Sequence, residues 1–269
     1  MLLLFDLDGV VYRGREPVPG MPALLRDRAA RGDDIVYVTN NSRWHRSDYQ
    51  AHLVELDCPV SPERVVTAAR ATALALHESE PRPVLVMVLG GPGLARELRD
   101  VGLRVVAATP RGLEAGPDVL VVGVDFSLSY RRLSTAAEAV RRGARFVATN
   151  RDPVYPAADG LRAGAGSIVA AVEVAAGRPA DLTLGKPQPG LFIEAARALG
   201  RDPSEAVVVG DGLLTDIAAA HAVGARSVLM LTGVTTREQL AAAPADRRPT
   251  AVAKDARELA DILDELAGA

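Results

Sequence analysis

Cysteine is almost missing from this chain: among 269 residues, Cys58 is the only one. A single thiol excludes an internal disulfide and suits a reducing cytosol. Lysine is nearly as scarce. Of 31 cationic residues 29 are arginine, which leaves Lys186 and Lys254, so a retained lysine invites a chemical explanation. Positive charge is not in excess either. The net charge of −3 lacks the basic footprint of a nucleic-acid binder. No apolar run approaches the roughly 18 residues of a membrane span. The N-terminal run is too short for a secretory h-region and is interrupted by Asp6. Repeats and low-complexity tracts are also missing. These absences together predict a cytoplasmic protein with no nucleic-acid or membrane partner.

What remains is a chain 48% apolar and 24% charged, long for one core and comfortable for two domains. Its most informative stretch is the first, Leu2-Leu3-Leu4-Phe5-Asp6-Leu7-Asp8-Gly9. A short continuous apolar run predicts a strand buried on both faces of a parallel sheet. Side chains alternate along a strand, so Asp6 and Asp8 can aim at one site while Leu7 points elsewhere. Gly9 permits a sharp exit. Two carboxylates at a buried strand end need a cation or a proton to be tolerable. In open α/β sheets that end is where ligands bind.

Further strands are expected at 35–38, 84–89, 104–108, 119–124, 145–148, 206–209 and 227–231. Helices are expected at 21–30, from Ser61-Pro62-Glu63 to about Leu76, and at 94–100, 130–142, 167–176, 190–199, 215–222 and 256–266. Pro81 and Pro83 punctuate one boundary and Arg178-Pro179 another. They predict a doubly wound parallel-sheet core over residues 1–80 and 180–269, with an inserted α/β cap domain over 81–179. Between Asp152 and Arg162 the prolines and Gly160 predict a loop. The Gly164-Ala165-Gly166-Ser167 cluster lacks the spacing of a dinucleotide fingerprint and reads as a helix start needing close packing.

Four strand ends carry polar groups: Asp6 and Asp8, Thr39 and Asn40, Lys186, and Asp211 with Asp216. Four carboxylates and one ammonium converging would repel a phosphate dianion. A divalent cation and a protonated Asp8 bring the set close to neutral, and such hard oxygen donors suit Mg2+. The chemistry that fits is phosphoryl transfer to a carboxylate, followed by hydrolysis of the aspartyl-phosphate. Asp6 is the expected nucleophile and Asp8 the general acid/base. Thr39 and Asn40 would bind the equatorial phosphoryl oxygens, and Lys186 would offset charge as a compact cation. Asp211 would ligate the metal, with Asp216 supporting it. Asp152 and Tyr155, in the loop, are the candidates for choosing the leaving group. Trp44 and His45 read as packing and surface residues.

Phe5-Asp6-Leu7-Asp8-Gly9-Val10, Thr39-Asn40-Asn41-Ser42, Gly185-Lys186-Pro187 and Gly210-Asp211 through Thr215-Asp216 resemble the four motifs of haloacid dehalogenase-like hydrolases. The match is nearest the NagD-like and 4-nitrophenylphosphatase branch. Thr149-Asn150-Arg151-Asp152-Pro153 resembles that branch's cap signature, and Leu231-Thr232-Gly233-Val234 its late core strand. The resemblance implies a Rossmannoid core with an inserted cap, magnesium and a phosphomonoester substrate: a sugar phosphate, glycerol phosphate, phosphoglycolate or nucleoside monophosphate. It further implies metal ligation by the Asp6 and Asp211 side chains and the Asp8 carbonyl, and a possible homodimer through the cap. Gly212 and Leu214 depart from the branch, which usually carries arginine and a polar residue there. A receiver-like phosphoacceptor module is the alternative, since receivers also gather aspartates, a hydroxyl and a lysine around magnesium. A receiver has neither a general acid two residues after its acceptor nor a large insertion.

Overall fold

The computed structural model describes residues 1–157 and 160–268. Chain contacts divide it into two compact units. The first comprises Met1–Thr39, Ser47–Val66 and Lys186–Ala269, the second Asn40–Arg46 and Thr67–Gly185. The crossings therefore fall after Val66 and Gly185, and the short segment beyond Thr39 also goes with the second unit.

The first unit is built on a six-stranded sheet. Leu2–Asp6 lies between Ala206–Gly210 on one side and Asp34–Thr39 on the other, both parallel to it. Arg226–Met230 and Ala251–Ala253 extend one flank and Val65–Thr67 the other. The chain leaves the central strand toward one neighbour and returns on the opposite side. That reversal creates the crevice at the carboxyl ends of the strands where α/β folds bind ligands. Leu2, Leu3, Leu4 and Phe5 are all 0% exposed, as the unbroken apolar run requires for a strand covered on both faces. On one face Leu3, Phe5 and Leu7 pack with Val207, Tyr37 and Leu259. Each such side chain contributes roughly 1.5–3 kcal/mol of burial, so the strand ending in Asp6 is held rigidly.

The second unit carries a five-stranded parallel sheet, ordered Leu182–Thr183, Arg145–Ala148, Val119–Val122, Leu85–Leu89, Arg104–Ala107. Glu97, wholly buried in helix Pro92–Asp100, is neutralised by an ion pair with Arg46 and lies 3.3 Å from His45 and 3.8 Å from Arg70. This network fastens the 40–46 segment to the unit.

Several expectations need correction. Ser61 does not open a long helix. Pro62–Arg64 is one tight turn, the β-branched pair Val65-Val66 joins the sheet, and the helix is Ala68–His77, capped by Thr67 Oγ1 accepting from the Arg70 N–H at 3.0 Å. The expected loop after Asp152 is an antiparallel ribbon, Val154–Ala157 against Gly160–Ala163. Its proline is tolerated because a two-stranded ribbon is all edge, and residues 158 and 159 lie outside the described residues. Arg46–Glu55 forms a helix that periodicity did not reveal. Gly166 does need close packing, since a Cβ there would meet the Arg151 carbonyl oxygen at 2.3 Å. No helix among the described residues is long and apolar enough to cross a membrane.

Candidate active site

Three adjacent strands of the first unit end together. Asp6 is opposite Val38 on one side, and its predecessor Phe5 is opposite Val209 on the other. Asp6, Thr39 and Asp211 therefore leave neighbouring strands at the same edge.

Lys186 enters this edge from the start of the chain's last segment. Its ammonium donates to Asp6 Oδ1 and to Asp216 Oδ1, both at 2.6 Å, with only 3% of the lysine side chain exposed. Burial alone would depress the ammonium's pKa, yet the Asp216 and Asp6 charges outweigh it and hold the group above its usual range. Arginine's rigid fork would not fit between two carboxylates as a single point of charge.

Asp211 is clasped by the turn after Arg226–Met230. The Val234 N–H donates to its Oδ2 at 2.8 Å, and the Thr235 N–H to its carbonyl at 3.2 Å. Gly9 and Gly233 leave room for it. A Cβ on Gly233 would lie 1.7 Å from Asp211 Oδ2 and one on Gly9 2.3 Å, and Gly9 has φ +83° besides. Thr232 Oγ1 donates to the Gly9 carbonyl at 2.6 Å, joining that turn to the one that follows Asp8. Thr232–Val234 is thus a turn rather than strand, a function its sequence did not betray.

Asp216 sits on a widened turn, Leu213–Ile217, closed by the Ile217 N–H donating to the Gly212 carbonyl. The residue was expected to begin an ordinary helix, but i→i+5 winding is a recurrent feature of functional sites. Its Oδ2 accepts from the Gly212 N–H at 3.1 Å and from Thr215 Oγ1 at 3.2 Å. Leu214 is 70% exposed and stands outside this bonding, so its departure from the branch pattern leaves the carboxylates untouched.

Oxygens of Asp6, Asp211 and Asp216 lie within 4.8 Å of one another, and all three residues are largely buried. Burial raises the Asp6 pKa well above the carboxylate range even though Lys186 pulls it down. Burial, helped by the Asp216 charge, lifts Asp211 to about 7. Three carboxylates against one ammonium leave a formal double negative charge, which a hard divalent cation matches in both charge and donor type. Asp8 shares the edge but not the cluster. Its pKa is raised by burial, with Lys186 and His52 opposing.

Asn40, Asp152 and Tyr155 come together in the second unit. The Asn40 side-chain amide donates to both Asp152 oxygens at 3.1 and 3.0 Å, and the Asn150 amide donates to the Asn40 carbonyl at 2.7 Å. The Thr149 hydroxyl donates to Ser42 Oγ at 3.1 Å, and the Asn41 amide to the Tyr155 hydroxyl at 3.2 Å. Thr149-Asn150-Arg151-Asp152 is therefore the partner of the Asn40-Asn41-Ser42 turn, a pairing invisible while the two motifs are read separately.

Family models described as haloacid dehalogenase-like hydrolase and HAD-hydrolase-like match residues 3–104 and 183–259, and the chain belongs to the haloacid dehalogenase-like hydrolases. It is similar to a D-glycerol 3-phosphate phosphatase of Mycobacterium tuberculosis, 40% identical over 96% of this chain and 70% of that one. A p-nitrophenyl phosphatase from Archaeoglobus fulgidus superposes with a TM-score of 0.88 at 32% identity, covering 97% and 98% of the two chains. A glycerol phosphate phosphatase from Mycobacterium tuberculosis solved with magnesium gives 0.85 at 39%, covering 96% and 75%. Within the family the chain falls in the NagD-like, 4-nitrophenylphosphatase branch, and it is a phosphoric monoester hydrolase. That excludes the receiver-like alternative.

Proposed function

We propose that the chain is a magnesium-dependent phosphatase of small phosphomonoesters that works through an aspartyl-phosphate. The observation that carries this reading is the buried lysine bridging Asp6 and Asp216 beside Asp211. An ammonium and three carboxylates taken out of water serve no packing purpose that apolar residues would not serve better.

Asp6, Asp211 and Asp216 would hold the cation directly or through water, with the Asp8 carbonyl as a further oxygen donor. When bound, the cation withdraws charge from the phosphoryl oxygens. An Asp6 oxygen attacks phosphorus, and the bond to the leaving alcohol breaks as Asp8 supplies its proton. Burial suits Asp8 to this role by keeping its proton available. Water, deprotonated by Asp8, then attacks phosphorus and frees Asp6 and inorganic phosphate. Thr39, at the end of its strand, and the Asn40 N–H bind the equatorial oxygens as charge builds on them. Lys186, donating to Asp6 Oδ1, favours the ionised nucleophile against the burial that opposes it. In the second unit Asp152 acts by orienting Asn40, and Asp152 and Tyr155 are the residues assigned to substrate selection.

The test is phosphate release from a phosphomonoester panel, with magnesium and with EDTA, beside Asp6→Asn. Turnover is expected to require magnesium and to fall roughly 10³-fold or more in the variant. Retained activity in a folded Asp6→Asn protein overturns the nucleophile assignment.

A further inference from the structure

Asp8 is held differently from the other carboxylates at the strand edge of the first unit. Asp6 takes Lys186, Asp211 takes the Val234 N–H, and Asp216 takes Lys186, Gly212 and Thr215. The half-buried Asp8 carboxyl makes no hydrogen bond among the described residues. A side chain with no bond of its own is aimed by its backbone and its rotamer alone. A proton donor must nevertheless stand within hydrogen-bond reach of the leaving oxygen. What fixes the Asp8 backbone therefore bears on the chemistry.

Both chain neighbours of Asp8 are gripped. On one side the Leu7 carbonyl accepts from the Val11 N–H at 2.9 Å and from the Tyr12 N–H at 3.2 Å, and the Leu7 side chain is buried. On the other side the Gly9 N–H donates to the Tyr12 carbonyl at 2.8 Å. These bonds stay inside one tight turn, Leu7 to Tyr12. The Gly9 carbonyl is tied from outside it, by Thr232 Oγ1 at 2.6 Å, 223 positions away in sequence. Glycine restrains its own backbone least of all residues, so a turn that bends at Gly9 gains a single shape from such a tie. Thr232 is anchored in its turn. Arg13 Nε donates to its carbonyl at 2.7 Å, and Thr235 Oγ1, three residues on, accepts the Leu213 N–H at 3.2 Å.

We propose that Thr232 is a positioning residue for Asp8: its hydroxyl locks the Gly9 peptide and so aims the Asp8 carboxyl at the leaving oxygen. Every residue in this arrangement belongs to the first unit. The proposal rests on the phosphatase reading above, in which Asp8 gives its proton to the alcohol oxygen as that oxygen leaves phosphorus and Asp6 bonds to it. Thr232 acts through Asp8, and its loss is felt where Asp8 moves a proton.

The test uses Thr232→Val, Thr232→Ser and Asp8→Asn at saturating magnesium, on 4-nitrophenyl phosphate and on the alkyl phosphomonoester that the native enzyme turns over fastest. Thr232→Val should lower kcat on the alkyl ester about 10- to 100-fold and shift KM about twofold at most. Single-turnover release of 4-nitrophenolate should fall about threefold at most, because that group departs without a proton. Thr232→Ser keeps the hydroxyl and should recover most of the kcat. In an Asp8→Asn background Thr232→Val should cost about threefold or less, since a residue acting through another loses its effect once the other is gone. A full further loss in that background overturns the proposal. So does an equal loss on both esters, or one that additional magnesium abolishes. Should Thr232→Val fail to fold, Arg13→Gln loosens the same tie from the exposed side, and unchanged kcat on the alkyl ester there overturns the proposal too. Native turnover of the alkyl ester by Asp8→Asn, or a native enzyme inactive on every ester with magnesium, overturns the phosphatase reading instead.

Discussion

Lys186 and Asp216 sit 2.6 Å apart, with 3% and 2% of their side chains exposed. Thirty residues separate them in sequence, and the same ammonium also reaches Asp6, near the other end of the chain. One lysine thus ties the first strand to the last segment of the first unit.

Removing that cation should be costly. Lys186→Met leaves Asp6 and Asp216 facing each other without compensation, and breaking a buried ion pair costs about 3–5 kcal/mol. Urea titration of the metal-free variant should show a loss of that order. Excess magnesium should recover part of it, since a cation that binds only the folded state stabilises by mass action. Equal stability of variant and native protein would refute the account of the cluster.

Gly233→Ala tests the clasp on Asp211. The added carbon would lie 1.7 Å from Asp211 Oδ2, so either the carboxylate or the turn must move. We expect magnesium affinity, measured by calorimetry, to fall about 10-fold or more. The far-UV circular dichroism should be unchanged. Unaltered affinity would show that the turn does not position the carboxylate.

The two departures from the branch pattern should behave oppositely. Leu214 is 70% exposed, so Leu214→Gln should change stability by no more than about 0.5 kcal/mol and leave kcat as it is. A Cβ at Gly212 would meet Thr215 Oγ1 at 2.0 Å. Gly212→Ala should therefore disturb the hydroxyl's bond to Asp216 and reduce kcat measurably. Steady-state kinetics on the two variants decides the matter.

Cys58 should be a slow thiol. Burial raises its pKa to about 11, and it is 5% exposed. At pH 8 only about one molecule in a thousand carries the reactive thiolate. Ellman's reagent should titrate it slowly in the native protein and at once in urea. Rapid native reaction would show that the segment around Cys58 opens readily.

Much of the site is legible without coordinates because its signals are local. An apolar run that stops at Asp6 announces both a buried strand and the polar end of it. Gly210-Asp211 and the strand before it read the same way. Reading fails where partners are distant. Ser61-Pro62-Glu63 has every mark of a helix start, yet Val65-Val66 gains more by pairing at the sheet edge. The ribbon after Asp152 depends on two strands recognising each other, which neither one displays alone. At the start of the last helix Asp255 Oδ1 accepts from the Glu258 N–H at 2.9 Å, while the Glu258 carboxylate reaches past it to the Lys254 N–H, a choice the local sequence does not display.

By itself the sequence determined which residues could do chemistry: carboxylates stranded at the ends of apolar runs, and a lysine kept where arginine is the habit. Burial on two faces and strand alternation are properties of a few consecutive residues. Tertiary structure alone decided their working relations. It made Asp216 a direct partner of Lys186, gave Asp211 its clasp from Val234, and assigned Asn40 to Asp152 while Thr39 stayed with the core sheet. Those choices rest on hydrogen bonds and close contacts between segments brought together only when the sheets form.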